Sequence, residues 1–227
     1  MTNKGNVLIT GSSNGIGLAA ALKFLTEGYA VTGMDTQPAP EVLIRNEHFK
    51  SYVVDVSEKE NLPNLPYKIN ILINNAGLQG SKDDIKNNLY SAIYVTEKYG
   101  IHDEITSILF NASASASTGF EFPMYVASKG GLIPYMKNVA CRVAKYGATC
   151  NSISCGGVLT ELNHPVIEDK KLWNRIMDVT PLKRWATPEE IADWVFFLTI
   201  KNKFMSGQDL LIDGGEKDLN NTFIWPE

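Results

Sequence analysis

The sequence predicts an α/β fold, a doubly wound parallel sheet of seven strands with helices on both faces. Three observations predict it. Short apolar runs alternate along the chain with segments of helical periodicity, which is the signature of a parallel sheet covered on both sides. The first of these runs passes straight into a glycine-rich turn. The 227 residues, 44% of them hydrophobic, suit a single domain spanning 1–227 with one sizeable core.

Val7-Leu-Ile-Thr10 reads as the first buried strand. Gly11-Ser-Ser-Asn-Gly15-Ile-Gly17 follows, and Ile16, Ala20 and Phe24 then recur at helical spacing up to Gly28. Strand, glycine turn and helix N-terminus together make an anion site, because free backbone N–H groups and the helix dipole face the same point. The spacing is Gly-x-x-x-Gly-x-Gly rather than Gly-x-Gly-x-x-Gly, but its place between strand and helix is what a dinucleotide fingerprint requires. Ala30 to Asp35 is the second strand, ending in an acid. An aspartate about 20 residues beyond such a turn can bond the adenine-ribose hydroxyls and repel a 2′-phosphate. Asn14 and Thr36 offer no cation for that phosphate, so NAD(H) is expected in preference to NADP(H).

Ser51–Asp55 is expected as the third strand, after a segment at 36–50 too broken by proline for a long helix. Ile69–Ile73 is the fourth strand, and Asn74-Asn-Ala-Gly77 follows it, where a glycine lets the backbone approach a ligand. A helix is expected over 83–99, then a fifth strand at Ile105–Phe110 that runs into Asn111-Ala-Ser-Ala-Ser-Ala-Ser117, read as a tight loop presenting hydroxyls. The next helix, from Tyr125 to about Tyr146, contains Pro134, for which Gly130-Gly131 offers a place to kink. Ala148–Ile153 is the sixth strand. The mixed stretch at about 160–186 reads as a small lobe over the site. Thr187-Pro-Glu-Glu190 is a capping box that starts a helix, and Leu210–Asp213 is the seventh strand before a tail at 216–227.

The chemistry centres on Tyr125-Val-Ala-Ser-Lys129, which puts a phenol and an ammonium on one helix face. A phenol with a pKa of about 10 is a poor proton carrier at neutral pH, and a nearby cation favours its ionised form. The pair is then a general acid/base suited to an alcohol oxygen. A net charge of −4 and the lack of a basic run argue against nucleic acid, and no run of 18 apolar residues suggests a membrane partner. The start runs straight into a strand without a signal peptide, and Cys141, Cys150 and Cys155 form no Cys-x-x-Cys pair, so a reducing cytoplasm is the expected location. His48, His102 and His164 have no ligand-spaced partner, so no metal is expected; His164, in the lobe, is a candidate substrate contact. Trp173, Trp185 and Trp194 read as packing residues. Cys155 reads as a small packing residue with no cation beside it.

From Thr10 to Gly215 these residues resemble the short-chain dehydrogenase/reductase family. The likeness rests on Thr10-Gly-x-x-x-Gly-x-Gly17, Asp55-Val, Asn74-Asn-Ala-Gly77, Asn88-Leu, Ser113, Tyr125-x-x-x-Lys129, Asn151, Thr160, Pro-Leu-x-Arg-Trp at 181–185, and Ser206-Gly to Asp213-Gly-Gly215. The resemblance implies a Rossmann-type fold and an NAD(H)-dependent enzyme that interconverts a secondary alcohol and a ketone by hydride transfer. Tyr125 resembles the acid/base, and Lys129 the residue that lowers its pKa and holds the nicotinamide ribose. Ser113 would bond the reacting oxygen, with Ser115 a competitor, and Asn88 would hold a water linking Lys129 to solvent. Cofactor contacts would come from Gly11, Ser13, Asn14, Gly15, Ile16, Gly17, Asp35, Asp55, Val56, Asn75, Ala76, Gly77, Tyr125, Lys129, Gly156, Val158 and Thr160. Cys155 stands where the family has proline, and the segments 36–50, 56–68 and 78–87 are short. The partner would be a small alcohol or carbonyl compound. A homo-oligomer is implied, a tetramer before a dimer. The tail at 216–227 ends in Phe223-Ile-Trp-Pro226, apolar for a disordered segment, so it is expected to be ordered and to help shape the site, or else to pack on its own domain. Alternatives are a catalytically silent dinucleotide-binding protein, a 3-oxoacyl thioester reductase, which Asp35 disfavours, and an epimerase or dehydratase, which would need a larger C-terminal domain.

Overall fold

Strands β1 (Asn6–Thr10), β2 (Ala30–Asp35), β3 (Phe49–Val53), β4 (Ile71–Asn74), β5 (Ser107–Asn111), β6 (Thr149–Cys155) and β7 (Asp209–Ile212) form one sheet in a computed structural model that describes residues 3–120 and 122–219. Every pairing is parallel, in the order β3-β2-β1-β4-β5-β6-β7. The order reverses between β1 and β4. In open α/β sheets that is where the carboxyl ends of two strands leave a crevice.

Among the described residues eight α-helices accompany the sheet: α1 (Gly15–Thr26), α2 (Glu41–Ile44), α3 (Ser91–Tyr99), α4 (Ser115–Thr118), α5 (Pro123–Val143), α6 (His164–Glu168), α7 (Lys170–Val179) and α8 (Pro188–Phe196). Side chains alternate across the sheet, and each set finds its own helices. Val7, Ile9, Ile71, Ile73, Leu109 and Ile153 pack with Phe24 of α1 and Ile191, Val195 and Phe196 of α8. Leu8, Leu72, Ile108, Phe110 and Cys150 pack on the other side with Val95 of α3 and Leu132, Met136, Val139 and Val143 of α5. Phe24 is wholly buried and meets Phe196 at a ring-centroid distance of 5.3 Å. Truncating such a ring costs about 3–5 kcal/mol.

Some local expectations hold and others shift. The expected third strand lies two residues earlier, at Phe49–Val53, because its register with β2 ends where Asp35 meets Val53. Asp55 therefore sits beyond the sheet and its carboxylate accepts from the Ser57 N–H at 2.9 Å. The helix expected over 83–99 begins as a π-helical turn, Ile85–Tyr90, before α3. Pro134 is accommodated inside one continuous helix, and Gly131 has a different use: a Cβ there would lie 2.8 Å from Leu89 Cδ2. It lets α5 pack closely on the π turn. The serine tract is partly helical, since α4 closes one turn that ends at Gly119 with φ of +73°.

The capping box of α8 is present. Thr187 Oγ1 accepts from Glu190 N at 3.3 Å, and the Glu190 carboxylate accepts from Thr187 N at 2.9 Å. Arg184 also pairs with that carboxylate at 2.7 Å through each of two nitrogens. A Thr cap of this kind contributes about 1 kcal/mol. The lobe consists of a 3-10 turn, Glu161–Asn163, with α6 and α7, and none of the three contains a buried residue. Of the expected tail, residues 216–219 form part of a turn, while 220–227, including the Phe223-Ile-Trp stretch that suggested docking, lie outside the described residues. No helix among the described residues is long and apolar enough to cross a membrane.

Candidate active site

The turn after β1 is shaped by steric necessity. Gly11 and Gly15 have φ of +66° and +50°, which side-chain-bearing residues rarely adopt. At Gly17 the reason is proximity: a Cβ would fall 1.9 Å from the Gly11 carbonyl oxygen. Asn14 caps α1 in extended backbone without a side-chain bond, and the first turn of the helix carries no acid. The N–H groups at that end are therefore open to an anion. Asp35, at the end of β2, accepts from Ser13 N at 2.9 Å and from Gln37 N at 2.9 Å. The carboxylate is thereby fixed beside the turn with lone pairs to spare.

A polar chain crosses the switch point. Thr10 Oγ1 accepts from the N–H groups of Asn75 and Ala76, both at 3.0 Å. Asn75 Nδ2 donates to the carbonyls of Thr10 and Gly11 at 3.1 and 3.0 Å. Asn75 Oδ1 accepts from Asn111 Nδ2 at 2.9 Å, and the Asn111 carbonyl accepts from Lys129 Nζ at 2.8 Å. The glycine turn, the ends of β4 and β5, and the ammonium of α5 are thus one connected unit.

Lys129 is buried and its Nζ lies 5.8 Å from the centroid of the Tyr125 ring. Burial pulls its ammonium down to about 8, against opposing effects of Cys155 and Asp84. Gly77 fits between Lys129 and Asn88: a Cβ there would lie 2.8 Å from Asn88 Oδ1 and 3.3 Å from Lys129 Nζ. Asn88 sits on the π turn. Its side chain bonds both backbone groups of Leu78, at 2.8 and 2.9 Å, and donates to Ser128 Oγ at 2.9 Å. Ser128 in turn donates to the Tyr125 carbonyl at 2.7 Å. Ser113 Oγ accepts from Ser115 Oγ at 2.9 Å and from Ser115 N at 3.2 Å. A hydroxyl has two lone pairs and one proton, so Ser113 is left with a proton to donate. Ser115 supports Ser113.

These groups converge on a cleft of about 640 Å³. Of the residues expected at a site, Gly11, Asn14, Gly15, Ile16, Asn75, Ala76, Gly77, Ser113, Ser115, Tyr125, Lys129, Gly156, Val158 and Thr160 line it. Ser13, Gly17, Asp35 and Asn88 stand behind the lining or beside it, as described. Val56 packs in the core with Leu8 and Met34, and exposed Asp55 is not among the residues that line the cleft. His164 does not line it: its imidazole is exposed and faces Glu168 at 3.6 Å. Cys155 does line the cleft and does have a cation nearby, because Lys129 acts on it; burial nevertheless pushes the thiol up to about 12, which leaves it unreactive. Trp185 packs over Gly157 and against Trp173, with ring centroids 5.0 Å apart, and is also a cleft wall. Its buried Nε1 has no hydrogen-bond partner among the described residues. Asn111 and Glu216 are cleft residues that the motifs did not single out. A position at the carboxyl end of a central strand was the available signal for Asn111. Among the described residues no cluster of His, Cys, Asp or Glu could hold a metal.

Residues 11–217 match a family model described as enoyl-(acyl carrier protein) reductase. The chain is 30% identical to the 3-oxoacyl-[acyl-carrier-protein] reductase of Buchnera aphidicola subsp. Schizaphis graminum, over 93% of this chain and 97% of that protein. It is 29% identical to an L-rhamnose 1-dehydrogenase (NADP(+)) of Thermoplasma acidophilum, over 92% and 95%. The solved structure of 4-hydroxyisoleucine dehydrogenase complexed with NADH superposes with a TM-score of 0.88 at 27% identity, covering 96% of this chain and all of that one.

The burial of Lys129 has a signed consequence. In the unfolded chain its ammonium persists to its ordinary value of 10.5, whereas in the folded protein it deprotonates near 8. Between those values the unfolded state binds more protons, so this group adds stability as pH rises. Below about pH 8 the folded protein carries the full cost, roughly 3 kcal/mol. Lys129→Met should therefore melt higher relative to wild type at pH 7 than at pH 10, by several degrees. An equal difference at both pH values would mean that Lys129 titrates near 10.5 when folded.

Proposed function

The chain belongs to the short-chain dehydrogenase/reductase family, an oxidoreductase that interconverts an alcohol and a carbonyl with a nicotinamide dinucleotide, and we propose that Tyr125, Lys129, Ser113 and Asn88 carry the reaction on a secondary alcohol. The observation that supports this is the convergence of Tyr125, Ser113 and buried Lys129 on one cleft that begins at the open N-terminus of α1. The fit of the dinucleotide rests on that terminus, on the cradle that a Cβ at Gly11, Gly15 or Gly77 would invade, and on Asp35 beside it. When bound, the nicotinamide accepts or supplies the hydride.

In the oxidation direction Tyr125 takes the hydroxyl proton as general base. Lys129, anchored on the Asn111 carbonyl, places positive charge beside the ring and stabilises the phenol oxygen as it changes charge. Ser113 donates to the substrate oxygen from a hydroxyl that Ser115 has already oriented, so no reorganisation is needed as charge develops. Asn88 holds the Leu78 backbone and, through Ser128, the start of α5. We assign it the place where a water connects Lys129 to solvent.

NAD(H) is the proposed cofactor over NADP(H). Asp35 would meet a 2′-phosphate with like charge, and Asn14, Thr36 and Gln37 bring no cation. A homo-oligomer, tetrameric or dimeric, is supported by apolar side chains left exposed outside the cleft: Trp194 and Phe197, stacked edge-on at 6.0 Å, and Phe204, 98% exposed. A cytoplasmic location is proposed from the unpaired cysteines. The likeness to the Buchnera reductase keeps a 3-oxoacyl thioester as the second substrate class.

Three outcomes test this reading. Tyr125→Phe should lower kcat by at least about a hundredfold while NADH binds within a few-fold of wild type, because the ring stays and the proton carrier goes. A variant that keeps a tenth of the wild-type rate would remove Tyr125 from the role. The ratio of kcat/KM for NAD over NADP should exceed about a hundred, as a like-charge contact of a few kcal/mol implies, and should fall at least tenfold in Asp35→Ala. Comparable values for the two cofactors in wild type would defeat the assignment. Light scattering at micromolar concentration should give the mass of a dimer or tetramer, and a monomer would refute the oligomer.

A further inference from the structure

Four charged side chains line the cleft among the described residues, Lys129, Asp213, Glu216 and Lys217, and three of them are spoken for. Lys129 is held by Asn111. The Asp213 carboxylate accepts from the N–H groups of Gly215 and Lys217, both at 2.8 Å, and so closes its own turn. Lys217 Nζ faces Asp218 at 3.3 Å. Glu216 differs. Among the described residues its carboxylate has one side-chain partner, Thr180 Oγ1, at a long 3.4 Å. Desolvation raises its carboxyl above the ordinary value; the Thr180 hydroxyl opposes this and the neighbouring Asp213 adds to it.

The place of Glu216 in the fold tells which ligand it would meet. Thr180 ends α7, and α7 brings Ile176 and Val179 into the same wall. Glu216 therefore belongs to the lobe wall of the cleft. Glu216 is exposed at the rim of the cleft, and a carboxylate beside apolar walls is favoured by a hydrogen-bond donor and disfavoured by a second anion.

We infer that Glu216 is a specificity-determining residue that receives a second hydrogen-bond donor on the substrate, a hydroxyl or an ammonium, and that turns carboxylates away. The inference rests on the dehydrogenase reading for its reacting carbinol. It commits the substrate class to diols, polyols or amino alcohols. It stands against sugar acids.

A matched series tests it: isopropanol, propylene glycol, isopropanolamine and lactate, with homologues one to three methylenes longer. Each is assayed for kcat/KM with NAD, and each is titrated into the NADH complex by calorimetry. At the best chain length wild type should favour the hydroxyl or ammonium compound over its methyl counterpart at least tenfold and rank the carboxylate last. Glu216→Gln, which keeps the shape and an acceptor, should erase an ammonium preference and retain most of a hydroxyl preference, so the two donors are told apart. Glu216→Ala should bring the ratio to the methyl compound close to one. A wild type that prefers the carboxylate, or a ranking that Glu216→Ala leaves unchanged, overturns the inference. The same ranking in binding with no turnover of any alcohol would uphold Glu216 and sink the dehydrogenase reading.

Discussion

The side chain of Asn75 holds two halves of the sheet at one point. Its amide donates to the Thr10 and Gly11 carbonyls and its oxygen accepts from Asn111, so the ends of β1, β4 and β5 share one planar group. Such a bridge is needed because α1 is pressed against the Gly11 carbonyl, at a spacing that no side chain at position 17 could survive. Strands are joined along their length by ladder bonds, but those end where the site begins. Beyond that line, side-chain amides continue the network and fix where the cofactor turn stands relative to Lys129.

Lys129 illustrates a trade between stability and chemistry. Its ammonium is removed from water and receives one carbonyl in exchange. A hydrocarbon side chain would serve the core better at neutral pH. Retaining the charge accords with the proposed role, in which the neighbouring Tyr125 gains and loses a proton. The surrounding parts are rigid: Ser128 and Asn88 link the start of α5 to the loop after β4, and Gly131 lets α5 settle on Leu89.

Much of this was legible in the sequence because it is local. Apolar runs gave all seven strands, the Thr187 to Glu190 box marked the start of α8, and tyrosine and lysine four apart gave the shared face of α5. What escaped depends on contacts between distant residues. The use of Gly131 depends on Leu89, the importance of Asn111 on Asn75 and Lys129, and the placing of Glu216 on Thr180. The displaced β3 is of the same kind, since its limits come from the register with β2 and its own residues are half exposed. Family likeness put Ser113 ahead of Ser115, and the hydrogen bonds between them, with Ser115 N and Oγ both directed at Ser113 Oγ, support that order.

The lobe over the cleft consists of short helical segments without a single buried residue, whereas the strands beneath it are closed to solvent on both sides. Its detachment would break few apolar contacts and leave the sheet intact. The stability of the molecule is therefore graded. Backbone amides of α7 should exchange with deuterated water through small local openings, while those of β4 and β6 wait for global unfolding. A roof of low local stability would let ligands enter and leave at little cost in free energy, while Tyr125, Lys129 and Ser113 stand outside it.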